Sequence, residues 1–185
     1  MRRLNNFLPK VLVLLLLLAG AWAAYTTRGS WLPLIDPNQA GSEFDRLPPD
    51  DRLAAEAALN GTQVFFSLAS QTGEDAWLAR LCEIATPAGC SLYKLGAEKL
   101  WQSFGDQSFE ITAQAKAIQK VSQGTASARK NAATQVWEVQ VELNQPMPGS
   151  EKTSDTAYVL VVVDQGVWKF ERFLTPGEAE RFTKE

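Results

Sequence analysis

Histidine is absent from the 185 residues, and there are only two cysteines and two methionines. The missing imidazole removes Ser-His-Asp and Cys-His catalysis and every imidazole metal site. Two cysteines without histidine also make a poor zinc site, because structural zinc takes four N or S ligands. Clustered basic charge is lacking too. Arg2, Arg3 and Lys10 are three of the 18 basic residues, which leaves 15 against 21 acidic residues in the rest of the chain. Arg129-Lys130 and the Lys116/Lys120 pair are too small for the basic stripe that phosphate contacts need, so no direct nucleic-acid binding is expected. The chain shows no internal repeat, no low-complexity segment and no motif that calls for a cofactor.

What is present begins with one long apolar run. Val11 to Ala24 carries no charge, and with Phe7, Leu8, Pro9 and Tyr25 it approaches the ~20 residues a helix needs to cross a bilayer. Arg2, Arg3 and Lys10 precede the run and Arg28 follows it, a bias that places the N-terminus in the cytoplasm and exports the remainder. Trp22 and Tyr25 fall where an interfacial aromatic belt lies. Residues 1–10 therefore read as a cytoplasmic start and 11–25 as the span. Ala21-Trp22-Ala23 also reads as a small-x-small cleavage site, so a cleaved leader is the competing expectation. The length of the run and its aromatic border favour an uncleaved anchor. No cysteine follows the run, which argues against a lipid-modified N-terminus.

Residues 26–49 read as a tether, broken by Gly29, Pro33, Pro37, Gly41, Pro48 and Pro49. Within it Trp31, Leu32, Leu34 and Ile35 form an apolar cluster. It either lies in the headgroup zone or on the domain, or serves as a juxtamembrane contact for a neighbouring membrane protein. Residues 50–175 are long enough for one α+β domain with a core of its own, and 176–185 read as a C-terminal tail in which Phe182 is the anchor point.

The domain opens with helices. Asp50 and Asp51 supply an acceptor and negative charge at a helix start. The first helix is expected over Asp50–Ser70, with Leu53, Ala57, Val64, Phe65 and Leu68 on its apolar face. Ala54, Ala55, Ala58 and Gly61 are small and would admit a close neighbour. A second helix is expected over Asp75–Ala85, with Trp77, Leu78, Leu81 and Cys82 on one face. Thr86-Pro87 then gives an N-cap and a first helical proline. The third helix runs to about Phe104, with Leu92, Leu95, Trp101 and Phe104 as its expected buried face. Cys82 and Cys90 flank this corner, and in an exported, oxidising compartment the pair is a candidate disulfide stapling the two helices.

From Ser108 the period changes to two. Phe109, Ile111, Ala113, Ala115 and Ala117 alternate with polar residues, and Gly124 allows a turn. Trp137, Val139, Val141 and Leu143 repeat the alternation between Thr134 and Leu143. Ala157–Val163 is apolar on both faces and reads as a central or doubly covered strand. Asp164-Gln165-Gly166 marks a hairpin turn, and Val167–Leu174 is the last strand. The sum is an α+β fold, with helices on one face of a curved antiparallel sheet of about four strands.

The order of a long first helix, two shorter helices and an antiparallel meander resembles the nuclear-transport-factor-two-like (cystatin-like) cone. The resemblance covers about Asp50 to Leu174. Behind a single N-terminal anchor, such a domain is similar to the VirB-type bitopic scaffold proteins of type IV secretion and conjugative transfer. The matching features are Arg2-Arg3, the Val11–Ala24 span, the Asp50–Ser70 helix, the strands around Trp137 and Val159, and Trp168-Lys169-Phe170. This resemblance implies a non-enzymatic inner-membrane assembly factor that self-associates and contacts other complex subunits through an exported, periplasmic or extracellular domain. The same cone hosts ligand carriers, isomerases and dehydratases, which is the alternative expectation. Phe65, Phe66, Trp77, Trp101, Phe109, Trp137 and Trp168 could then line a pocket. The carboxylates Glu138 and Glu142 fall on the outward phase of their strand, and only a twist of the central strand could turn Tyr158 and Asp155 into such a cavity.

Overall fold

The structure, a computed structural model, describes residues 46–106, 108–126 and 132–182. The Val11–Ala24 run and the Trp31, Leu32, Leu34, Ile35 cluster lie outside the described residues. Among the described residues no helix is long and apolar enough to cross a membrane.

Three helices come first. α1 spans Pro49–Phe66, α2 spans Gly73–Ile84 and α3 spans Pro87–Gln102. A four-stranded antiparallel sheet follows in the order β3-β4-β5-β6, with β3 at Ala113–Ala126, β4 at Ala132–Leu143, β5 at Ser154–Asp164 and β6 at Val167–Leu174. A short helix, α4, closes the fold at Pro176–Phe182. Between α1 and α2, β1 (Leu68–Ala69) pairs with β2 (Glu110–Ile111) as a separate two-stranded ribbon.

α1 ends at Phe66, short of the expected Ser70, because Leu68 and Ala69 are drawn into the ribbon with Ile111 and Glu110. Its buried face is Ala54, Ala55, Ala58, Gly61 and Thr62, and Leu53 is 54% exposed. The small residues win this phase because they allow the helix axis to approach the sheet. A Cβ on Gly61 would lie 2.3 Å from Cγ of Phe170, so β6 sits directly against the helix there. The same logic corrects α3. Gly89, Tyr93 and Ala97 face inward, while Leu92 and Leu95 are 47% and 82% exposed. A Cβ on Gly89 would meet the Glu171 carbonyl oxygen at 2.4 Å, so only glycine permits this contact. α3 stops at Gln102, and Phe104 is buried just beyond it.

The sheet follows its alternation closely, with two corrections. Gly124 makes no turn; β3 continues through it, paired with Thr134, to Ala126. The register is irregular between Ala117 and Gln119 and again between Lys120 and Ser122, so the alternation of Ala113–Ala117, which leaves Ile118 outward and 42% exposed, does not run on through β3. The β5–β6 hairpin turns through Gln165 and Gly166, with φ of 52° and 82°. These left-handed values match a two-residue turn that suits the twist of the flanking strands.

The helices are not confined to one face. Trp137, Val139, Val159, Val161 and Phe170 face α1–α3 in the main core. Val136, Leu160, Val162 and Leu174 point the other way and are covered by Ala179 and Phe182 of α4. β5 is therefore buried on both sides from Val159 to Val162, as its unbroken apolar run requires.

Thr175-Pro176-Gly177-Glu178 starts α4 with a reciprocal capping box. The Glu178 N–H donates to Thr175 Oγ1 at 3.3 Å, and the Thr175 N–H donates to Glu178 Oε2 at 2.9 Å. Arg172 adds an ion pair to Glu178 Oε1 at 2.9 Å. Burial pushes the Glu178 carboxyl up, but the Thr175 N–H, the Thr175 hydroxyl and Arg172 outweigh it and leave it below its usual range. A depressed carboxylate stabilises the fold above the unfolded value, and the effect fades as pH falls through the folded value. Glu178→Gln keeps the capping geometry and removes the titration. Urea unfolding of wild type and variant should thus differ at pH 7 and converge below about pH 4.

Candidate interaction surface

The interior between the sheet and α1–α3 is filled by rings. Phe65 touches Trp77, Tyr93 and Phe173 with centroids 5.8, 5.5 and 4.9 Å apart. Tyr93 stacks on Phe170 at 5.5 Å, with the planes 8° apart. Phe104 stacks on Phe109 at 3.8 Å, and Trp101 lies 5.4 Å from Phe109. Burial pushes the Tyr93 hydroxyl well above the usual phenol range, partly opposed by the Phe173 backbone and Arg172. Its oxygen has no hydrogen-bond partner among the described residues.

The expected outward carboxylates stay outward. Glu138 accepts from Gln119 Nε2 at 2.6 Å, and Glu142 is exposed. Asp155 is exposed and accepts the Thr156 N–H, whereas Tyr158 joins the cluster on the α4 side. Tyr158 stands opposite Glu138 in the β4–β5 register, and Glu142 and Asp155 lie toward one end of that strand pair, so no cavity inside the main core gathers the four.

The start of α1 is tied to both ends of the sheet. Helix residues begin at Pro49 and no side chain caps them, so Asp50 and Asp51 do not act as the cap. Asp50 Oδ1 accepts the Trp168 indole N–H at 2.7 Å. Asp51 accepts Lys120 Nζ at 2.6 Å and Gln135 Nε2 at 2.8 Å, and Gln135 Oε1 accepts the Trp137 indole N–H at 2.9 Å. The two aspartates thus hold β6 on one side and the β3–β4 pair on the other.

Cys82 and Cys90 are disulfide-bonded across the α2–α3 corner. Between them Thr86 caps α3 through the Gly89 N–H, as its sequence position predicts, and its hydroxyl donates to Glu171 Oε2 at 2.6 Å. The Thr86 N–H donates to the Phe170 carbonyl at 2.8 Å, and Ala85 bridges Phe170 in parallel sense. The staple therefore fixes the corner that covers the outer edge of β6. Its loop is short, so the chain-entropy argument gives about 2–3 kcal/mol. A Cys82→Ser/Cys90→Ser variant should unfold at correspondingly lower urea. Hydrogen exchange should rise first at residues 85–90.

Apart from Ile118, two features carry the exposed large hydrophobic side chains among the described residues. One is a groove of about 630 Å³ between α1 and the β5–β6 hairpin, lined by Leu53, Ala57, Val163, Val167 and Trp168, with Asp50 and Glu56 supplying acidic groups. The other is the ridge of Leu92 and Leu95 on α3. Sequence reading placed all three leucines in the core. The signal that could have found them is the competing helical phase of small residues: Ala54, Ala58 and Gly61 in α1, and Gly89 and Ala97 in α3.

No family model matches the chain, and no curated protein matches it. Two solved structures are similar to the chain, and the first shares its fold. A periplasmic fragment of TraM aligns at TM-score 0.50 and 13% identity, over 67% of this chain and 95% of that one. TraH, described as a putative transfer protein from the Gram-positive conjugative plasmid pIP501, aligns at TM-score 0.42 and 8% identity, over 72% of this chain and 98% of that one.

Proposed function

We propose that the chain is a bitopic membrane protein whose exported α+β domain is a non-enzymatic scaffold of a type IV secretion or conjugative transfer complex. The observation that carries this reading is the match to the periplasmic fragment of TraM, which spans nearly all of that fragment. An exported domain of the same fold, behind an apolar run with a basic start, is the arrangement expected of VirB-type scaffolds with a nuclear-transport-factor-two-like domain. The Cys82–Cys90 bond fits an oxidising compartment. Five of the rings that could have lined a ligand cavity, Phe65, Phe66, Trp77, Trp101 and Phe109, pack on other rings. Trp137 is buried in the core, whereas Trp168 lines the outer groove. An interior filled in this way favours assembly over the carrier or isomerase alternative.

In this reading residues 1–10 stay in the cytoplasm, 11–25 span the membrane and the domain beyond the tether meets itself and other subunits. Membrane fractionation with intact-mass measurement tests the topology. The account expects the chain in the membrane fraction with residues 1–23 retained, and its domain digested by protease only from the exported side. A soluble chain shortened near Ala23 contradicts it.

A further inference from the structure

We propose that the acidic groove between α1 and the β5–β6 hairpin receives the Leu92–Leu95–Lys99 ridge of α3 from a second copy of the chain. The inference rests on the scaffold reading and supplies the surface through which the domain would self-associate.

Five large hydrophobic side chains are exposed among the described residues, and four of them fall on these two features. Leu53 and Val167, 54% and 59% exposed, line the groove. Leu92 and Leu95 form the ridge, and Leu95 stands almost fully in solvent at 82%. Single exposed apolar residues need no explanation, but pairs set beside one another mark a contact surface.

The shapes are opposite, one concave and one convex. Leu92, Leu95 and Lys99 recur at intervals of three and four, so they share one face of α3. A Cβ on the neighbouring Gly96 would meet nothing within 4 Å, which leaves the flank of the ridge open to a close partner.

The charges are opposite as well. Asp50 and Glu56 are the charged groove residues, both acidic. Lys99 extends the ridge by one turn beyond Leu95, whereas Glu98 sits on the other flank and accepts from Gln102 Nε2 at 2.9 Å. An acidic groove also disfavours anionic lipid headgroups as the occupant.

The ridge cannot fill the groove of its own chain. The opposite face of α3 is held on β6 by the Tyr93–Phe170 stack and the close approach at Gly89. One groove and one ridge per chain make the contact heterologous, so copies join head to tail and close as a ring or extend as a row. A contact of this size is at the low end for free proteins. Confinement of the copies to one membrane would raise their effective concentration and make it sufficient.

The test uses the full-length chain in its native membrane, with a benzophenone amino acid in place of Leu95. The expected product is a crosslinked dimer that joins position 95 to residues 50–60 or 163–168 of the other copy. Glu56→Lys, on an exposed side chain, should lower its yield about tenfold or more. Adding Lys99→Glu to the same chain should restore it. Crosslinks from position 95 to residues 92–99 of the second copy, or a yield indifferent to Glu56→Lys, overturn the inference. Crosslinks only to other membrane subunits overturn it and leave the scaffold reading standing. A chain that crosslinks to nothing overturns both.

Discussion

Replacing Phe170 with alanine is expected to cost about 3–5 kcal/mol, the range for deleting a buried ring. That is a large part of the ~5–15 kcal/mol that stabilises an ordinary domain. Phe170 is fully buried, stacks on Tyr93 and lies 5.3 Å from Phe173. Its carbonyl receives the Thr86 N–H, so its position also sets the α2–α3 corner. Its side chain occupies the space where a Cβ on Gly61 would stand. This last contact gives a sharper measurement. Gly61→Ala alone should destabilise by about 1–3 kcal/mol, because the new methyl meets the base of a buried ring that cannot turn aside. In the Phe170→Ala background the contacts with Cγ and Cδ2 are gone and only that with Cβ, at 2.7 Å, remains, while alanine is the better helix former by about 1 kcal/mol. There the same change should cost clearly less than in the wild type. Urea unfolding of the four chains measures the coupling, and an additive cycle would mean that α1 does not rest on Phe170.

The second large effect is expected at Trp137. Trp137→Ala should also cost about 3–5 kcal/mol, since the side chain is 2% exposed and faces the main core. Trp137→Phe separates packing from polarity. It keeps most of the ring but leaves Gln135 Oε1 without its donor, and Gln135 is 4% exposed. An unpaired buried acceptor costs about 1–3 kcal/mol. The loss should be felt through Gln135 and Asp51 at the start of α1. Hydrogen exchange at residues 49–55 should therefore rise in Trp137→Phe more than at the far end of the helix. Equal exchange along α1 would show that the chain from Trp137 to Asp51 does not hold the helix start.

What the sequence revealed follows the range of the forces involved. The Thr86-Pro87 corner, the Cys82–Cys90 pair, the β5–β6 turn and the doubly covered β5 rest on local chemistry or strict alternation, and each stands in the structure. Leu53, Leu92 and Leu95 were misplaced because hydrophobicity ranks leucine above glycine and alanine for the core. Close approach of helix and sheet reverses that order at Gly61 and Gly89, and the partners that require it, Phe170 and Glu171, lie about a hundred residues away in the chain. The phase break near Ile118 belongs to the pairing of β3 with β4, which β3 alone does not encode. α4 was legible, since Thr175-Pro-Gly-Glu178 is the spacing of a capping box, yet the segment read as a tail. Asp50 and Asp51 read as a helix start, and their hold on Trp168 and Gln135 emerged only once the sheet was in place.

The outward leucines, Leu53 on α1 and Leu92 and Leu95 on α3, carry the proposed contact between copies. Crosslinking in the native membrane, followed by mass spectrometry of everything bound to the tagged full-length chain, tests that claim most directly. The account predicts recovery of the uncleaved chain with further copies of itself and with membrane subunits of a transfer complex. A solitary chain, recovered without any membrane protein attached, would contradict it.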